Sequence, residues 1–169
     1  EVMPHLRLDV LERTDLLEHV GPQDVLAFTG SADTGMFIRG MEQVRRMGVR
    51  VNVEADSLNA AVLGADLDTD SAGYQLFIRE VLKDLTQKAG QKCTAIRRIF
   101  VPHSSLDAVR EDLREGYAAV RVGDPAVKGV QMGPVATLSQ LKDVREGLKT
   151  LAAHGRFVYG DGGPGKLTG

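Results

Sequence analysis

One thiol and one carboxylate carry the types and spacing that chemistry needs. Cys93 is the only cysteine in 169 residues. It sits in Lys88-Ala89-Gly90-Gln91-Lys92-Cys93-Thr94-Ala95, after a strongly patterned helix and before an apolar strand. Small residues and Gly90 predict a tight turn able to face a cleft, and Lys88 and Lys92 would favour the thiolate, the nucleophilic form. A solitary cysteine equally serves as a small buried apolar residue. Glu54 closes the alternating stretch Val49-Arg50-Val51-Asn52-Val53-Glu54, and the carboxyl ends of strands are where open α/β sheets set their ligands. A carboxylate placed there can act as a general base towards water; a solvated surface carboxylate is the plainer reading. The third feature is Thr29-Gly30-Ser31, between an apolar run and a helix. Free N–H groups, the helix dipole and the missing side chain at Gly30 would admit a phosphate, although such a pair more often just caps the helix.

Periodicity outlines the elements that position these groups. Val25-Leu26-Ala27-Phe28-Thr29 reads as a strand buried in a parallel sheet, and Phe37, Met41 and Val44 as one face of a helix stopped by Gly48. Upstream, residues 6–11 alternate like a strand, and residues 14–20 read as a short helix capped by Thr14. Ala60-Ala61-Val62-Leu63 predicts a second short strand. The best helix carries Tyr74, Phe77, Ile78, Val81, Leu82 and Leu85 on one face, runs to Gly90 and delivers Cys93 to the strand at residues 95–101. Ser104 or Ser105 is the expected cap of a helix whose face is Leu106, Val109, Leu113 and Tyr117. A strand is expected from Val120, and another at Val158-Tyr159. Thr137 and Gln140 form a capping box for a last helix, whose stripe of Leu138, Leu141, Val144, Leu148 and Leu151 is read as core packing.

Composition narrows the classes. With 43% hydrophobic residues the chain can build a core, and its length suits about one domain. A net charge of −2 with no basic stripe argues against nucleic acid. One cysteine excludes an intrachain disulfide; with no signal peptide and no apolar run of about 18 residues, the expectation is a cytoplasmic protein away from membranes. Four scattered histidines and an acidic loop, Asp66 to Asp70, that lacks the EF-hand glycine and glutamate predict no metal site. The missing initiator methionine and the glycine-rich close read as a piece of a larger enzyme, with a boundary after Glu54.

Taken together, Phe28-Thr29-Gly30-Ser31, Glu54 with Ser57-Leu58-Asn59, and Gly90-Gln91-Lys92-Cys93 follow the order and spacing of aldehyde dehydrogenases, which the chain resembles over residues 15–160. Gly123-Asp124-Pro125 with Met132-Gly133-Pro134 is similar to the segment that follows the nucleophile in that superfamily. Within it, Glu54-Ala55-Asp56-Ser57-Leu58-Asn59 and residues 88–98 most resemble the dehydrogenase domain of bifunctional phenylacetate-degradation proteins. The resemblance implies an α/β fold, with residues 1–54 the end of a Rossmann-like cofactor domain and residues 55–169 the first part of the catalytic domain. It implies Cys93 as nucleophile, Glu54 as general base, Thr29, Gly30, Ser31 and Ala55 at the cofactor, and a homo-oligomer. NADP is the expected cofactor with NAD the alternative, and the expected substrate is a CoA-linked semialdehyde from ring cleavage. Most members read Glu-Leu-Gly-Gly-Lys-Ser-Pro-Asn at the base, so an ungapped match on Ser57 and Asn59 would put Asn52 there; Glu54 agrees with the phenylacetate subgroup. Competing readings are a general or benzoate-pathway semialdehyde dehydrogenase, a CoA-acylating enzyme, and an inactive structural piece of such an enzyme.

Overall fold

A computed structural model describes residues 14–160, which fall into two compact units, one ending at Ser57 and the other beginning at Leu58. The strand expected over residues 6–11 lies outside the described residues, and a 3-10 turn covers Thr14–Glu18.

In the first unit β1 (Val25–Gly30) and β2 (Arg50–Ala55) pair in parallel, Val25 opposite Arg50 and Gly30 opposite Ala55. Parallel neighbours need a crossover, and α1 (Ala32–Gly40) and α2 (Glu42–Arg46) supply it. Where the spacing predicts one helix, the chain breaks at Met41, whose φ of −60° and ψ of 136° are extended. The break resets the helical phase, so Gly35 and Ile38 turn inward from α1 while Phe37 is 62% exposed. Val44 stays buried and packs with Val20 and Val49 against Leu26, Met41, Met47 and Val51. Gly35 allows α1 to lie close on β2: a Cβ there would come within 2.5 Å of Val53 Cγ1. β1 is not the fully buried strand its apolar run predicts, for burial alternates along it and Val25 is 56% exposed.

The second unit pairs β3 (Asn59–Val62) with β4 (Ile96–Phe100), again in parallel. The crossover is α3 (Ala72–Thr86), and Ser71 caps it by accepting from Tyr74 N at 3.1 Å. Tyr74 and Ile78 bury the predicted stripe against Leu63 and against Val109 of α4 (Leu106–Ala119), with Leu67, Phe77, Leu82, Val101 and Leu113 around them. Tyr74 keeps its hydroxyl satisfied by donating to Asp112 at 2.6 Å. Burial first, and that carboxylate second, push its pKa far above the ordinary phenol range. α4 begins where expected but not by the expected means, because Ser105 makes no side-chain cap and a 3-10 turn, His103–Ser105, leads in instead.

α5 (Leu138–Ala152) is capped by Thr137, whose Oγ1 accepts from Gln140 N at 3.2 Å. Its apolar stripe departs from the expectation of core packing: no residue of α5 is buried, and Leu138 and Leu151 are 85% and 65% exposed. A helical repeat of leucines specifies a face, not whether the described residues supply a partner for it. The strand expected at Val120 reduces to a single bridge, Val122 to Met132. Val158 and Tyr159 form a bend, with Tyr159 stacked on Tyr117 at 5.9 Å.

Candidate active site

The carboxyl ends of β1 and β2 gather every site residue expected in the first unit. Thr29 lies opposite Glu54 and Gly30 opposite Ala55, and Ser31 follows directly as the cap of α1. Glu54 is exposed and falls on the same strand face as Asn52, because side chains repeat every second residue. The two alternatives for the base therefore point the same way and differ only by about 7 Å along β2. Val53, between them, takes the opposite face towards Gly35 of α1.

The turn between β1 and α1 is more occupied than a bare phosphate cradle. Ser31 Oγ accepts from Thr34 N at 3.2 Å and shares a hydrogen bond of 2.9 Å with Thr34 Oγ1. Ala32 N donates at 3.3 Å to a carboxylate of the protein itself, that of Asp56. Asp56 reaches it from a left-handed conformation, φ 45°, immediately after β2. Nor is the space over Gly30 open, since a Cβ there would lie 2.5 Å from the end of the Phe28 ring. A side chain at this position would have to displace that ring. What remains to meet a dinucleotide are the exposed Ser31 and Thr34 hydroxyls at the positive end of α1. They fit such a group, with Asp56 as a competing anion beside them.

Cys93 lies in the second unit, at the tip of a four-residue turn closed by Ala95 N donating to Lys92 O at 3.1 Å. The thiol residue is exposed while Ala95, two residues on, is wholly buried. α3 does not run to Gly90 as predicted. It ends at Thr86 with Gln87 as its cap, and Lys88, Ala89 and Gly90 follow with φ of 53°, 54° and 72°. Left-handed lysine and alanine are costly by about 1–2 kcal/mol each. They are held by Gln91 N donating to Lys88 O at 3.0 Å and by Arg97 Nη2 donating to Gly90 O at 2.8 Å.

Several side chains fasten this turn, and two of them, Asp84 and Gln87, residue patterns did not mark. Asp84 accepts from Lys92 Nζ and, at 2.7 Å, from Ile96 N. The Lys92 hydrogen bond first, then that of Ile96, hold its carboxyl below the ordinary aspartate range against the opposing effect of burial. Lys92 also donates to Gln87 Oε1 at 2.8 Å, so its ammonium ties the turn to α3 as well. Gln91 Oε1 accepts from Ala136 N at 2.9 Å. Asn59 Nδ2 donates to Cys93 O at 2.7 Å and to Ala95 O at 3.1 Å. Such contacts join residues from 5 to 45 positions apart, and no local period announces them. The two downstream segments singled out in the sequence meet as well, through Gly123 N donating to Met132 O at 3.1 Å. Among the described residues, no group of three or more His, Cys, Asp and Glu is placed to hold a metal, and no helix is long and apolar enough to cross a membrane.

Comparison with known proteins bears on the family and the fold. Residues 13–169 match the family model described as the aldehyde dehydrogenase family. A 3,4-dehydroadipyl-CoA semialdehyde dehydrogenase of Aromatoleum evansii is 40% identical over 146 residues, which are 86% of this chain and 28% of that protein. Among solved structures, an aldehyde dehydrogenase C mutant of Pseudomonas syringae, in complex with NAD+ and octanal, superposes with a TM-score of 0.75 at 24% identity. The likeness covers 90% of this chain and 30% of that one. Betaine aldehyde dehydrogenase of Staphylococcus aureus, with NAD+, gives 0.69 at 24% identity over 78% of this chain and 25% of that one. At that identity the two structures establish a shared fold, and the chain spans between a quarter and a third of the length of each relative.

Proposed function

The chain belongs to the aldehyde dehydrogenase family, and we propose that in the intact enzyme Cys93 is the nucleophile and Glu54 the general base of NAD(P)-dependent aldehyde oxidation. The observation that carries this reading is the exposed thiol at the tip of a turn whose base is buried and whose backbone is tied on both sides. A thiol so held presents its sulfur without needing to reorganise the chain.

The chemistry follows from the residue types. Cys93, as thiolate, adds to the aldehyde carbon and gives a thiohemiacetal. The nicotinamide cofactor, when bound, supplies the hydride acceptor whose reduction leaves an acyl thioester on Cys93. Glu54 takes a proton from water, the resulting hydroxide adds to the thioester carbon, and collapse releases the acid and the Cys93 thiolate. Ser31 and Thr34 would hold the cofactor through their hydroxyls, with Thr29, Gly30 and Ala55 shaping the strand ends beneath it. The first residues of the family's catalytic domain then lie just past Glu54, and those before it close the cofactor domain.

The 40% identity to a CoA-semialdehyde dehydrogenase supports a CoA-linked semialdehyde as substrate. It favours that class over simple aliphatic or aromatic aldehydes. NADP is the proposed cofactor, and NAD is the alternative suggested by the NAD+ complexes of the structural relatives. We further propose a cytoplasmic homo-oligomer. The experiment is Cys93→Ser in the intact enzyme: oxidation of a CoA-linked semialdehyde should be lost while NADP+ binding, followed by fluorescence quenching, is retained. Sustained turnover by the variant would falsify the assignment. Free acid as the wild-type product supports the hydrolytic role of Glu54, whereas acyl-CoA would identify an acylating enzyme that does not need that base.

A further inference from the structure

We propose that Asn59 is a positioning residue for the reaction: its side-chain amide grips the backbone on both sides of the Cys93 turn and sets the direction in which the sulfur is presented. The proposal rests on the reading of Cys93 as nucleophile. Asn59 Nδ2 donates at 2.7 Å to the carbonyl of Cys93 itself and at 3.1 Å to that of Ala95. Both partners are acceptors, so only the amide nitrogen can face them, and both of its protons are used on one turn.

The backbone around Asn59 is shaped to bring it there. Asn59 pairs with Ile96 but Ala60 pairs with Arg98, so the register of β3 on β4 slips between the first two residues of β3. An extra residue on one strand twists the pair locally and re-aims a side chain. Here the slip falls at the entrance to β4, directly after the thiol's turn. Asp84 fixes the same entrance independently by accepting from Ile96 N at 2.7 Å. That bond engages a backbone donor and so does not compete with Asn59 for the carbonyls of Cys93 and Ala95. Ala95 is wholly buried, so the far side of the turn cannot give way. Removing the amide would free the exposed tip alone. A displacement of about 1 Å at a reacting atom can cost about a hundredfold in rate.

The test uses the intact enzyme with Asn59→Ala, and with Asn59→Ser, which keeps one donor. Three quantities are measured: the rate of the pre-steady-state burst of reduced cofactor, the pH profile of Cys93 alkylation by iodoacetamide, and KM for NADP+. Asn59→Ala should slow the burst about tenfold or more and displace the alkylation profile, with KM for NADP+ within about twofold. Asn59→Ser should recover part of the rate. A lower melting temperature with burst rate and alkylation profile at wild-type values would show a merely structural role and overturn the proposal. Should Asn59→Ala not fold, Asn59→Ser carries the same comparison, a several-fold loss supporting the role and none opposing it. Cys93→Ala keeps the two claims apart. If it still gives a burst, the nucleophile reading fails and the Asn59 role with it. If it gives none while Asn59→Ala behaves as wild type, only the Asn59 role is overturned.

Discussion

Lys92 and Cys93 are sequence neighbours with different duties. The lysine's ammonium bonds Asp84 and Gln87, which makes it a fastener of the turn. Asp84 is the hinge of that fastening, since it also accepts from Ile96 N. Its carboxyl is held below the ordinary range, so the folded state binds its proton more weakly than the unfolded chain does. The stabilisation is therefore complete above the ordinary aspartate pKa of about 3.9 and is lost as the pH falls through the depressed folded value. Urea denaturation of the intact enzyme at stepped pH should show this loss below about pH 4. Asp84→Asn should be less stable than wild type near neutrality, and the gap should narrow with acidity. A gap that stays constant to the acid limit would contradict the role. Of these residues only Cys93 and Lys92 were legible in the sequence. Asp84 was not, because periodicity assigns a face and not a partner twelve residues away.

Among the elements, α1 and β2 are set by a close approach. The Cβ of an alanine at position 35 would press within 2.5 Å of Val53 Cγ1, and a β-branched side chain in a strand has few rotamers to retreat into. Replacing a helical glycine gains about 1 kcal/mol of propensity, but overpacking costs about 1–3 kcal/mol, so the misfit should win. Gly35→Ala should lower the denaturation midpoint by an amount equivalent to about 1 kcal/mol; a midpoint equal to or above wild type would contradict this packing. Legibility of the elements follows the same physics. α3 was readable because its stripe, Tyr74 to Leu82, is both periodic and buried. The end of that helix was misplaced because Gly90 looked like the stop. The chain instead turns left-handed already at Lys88 and Ala89, where contacts from Gln91 and Arg97 hold it. α1 was misread in phase because the extended Met41 interrupts a spacing that had seemed continuous. For α5 the pattern alone could not tell a core face from an exposed one.

At the scale of the whole molecule, the residues proposed for the reaction fall in two units. Thr29, Gly30, Ser31, Glu54 and Ala55 stand at the strand ends of the first, and Cys93 stands on a fastened turn in the second. Family membership was readable from the order of short motifs that are individually weak, and the fold of the relatives agrees with it. Both strands were readable, but the register that sets Thr29 opposite Glu54 was not, nor was the Asp56 carboxylate at the start of α1, which depends on one left-handed residue. The proposed reaction requires that the acyl group be carried on Cys93 and released only with help from Glu54. Glu54→Gln in the intact enzyme should trap that intermediate. When turnover of a CoA-linked semialdehyde is quenched and the protein mapped by peptide mass spectrometry, the account predicts a burst of reduced cofactor and an acyl adduct on Cys93. An adduct on another residue, or loss of the burst with Cys93 unmodified, would contradict it.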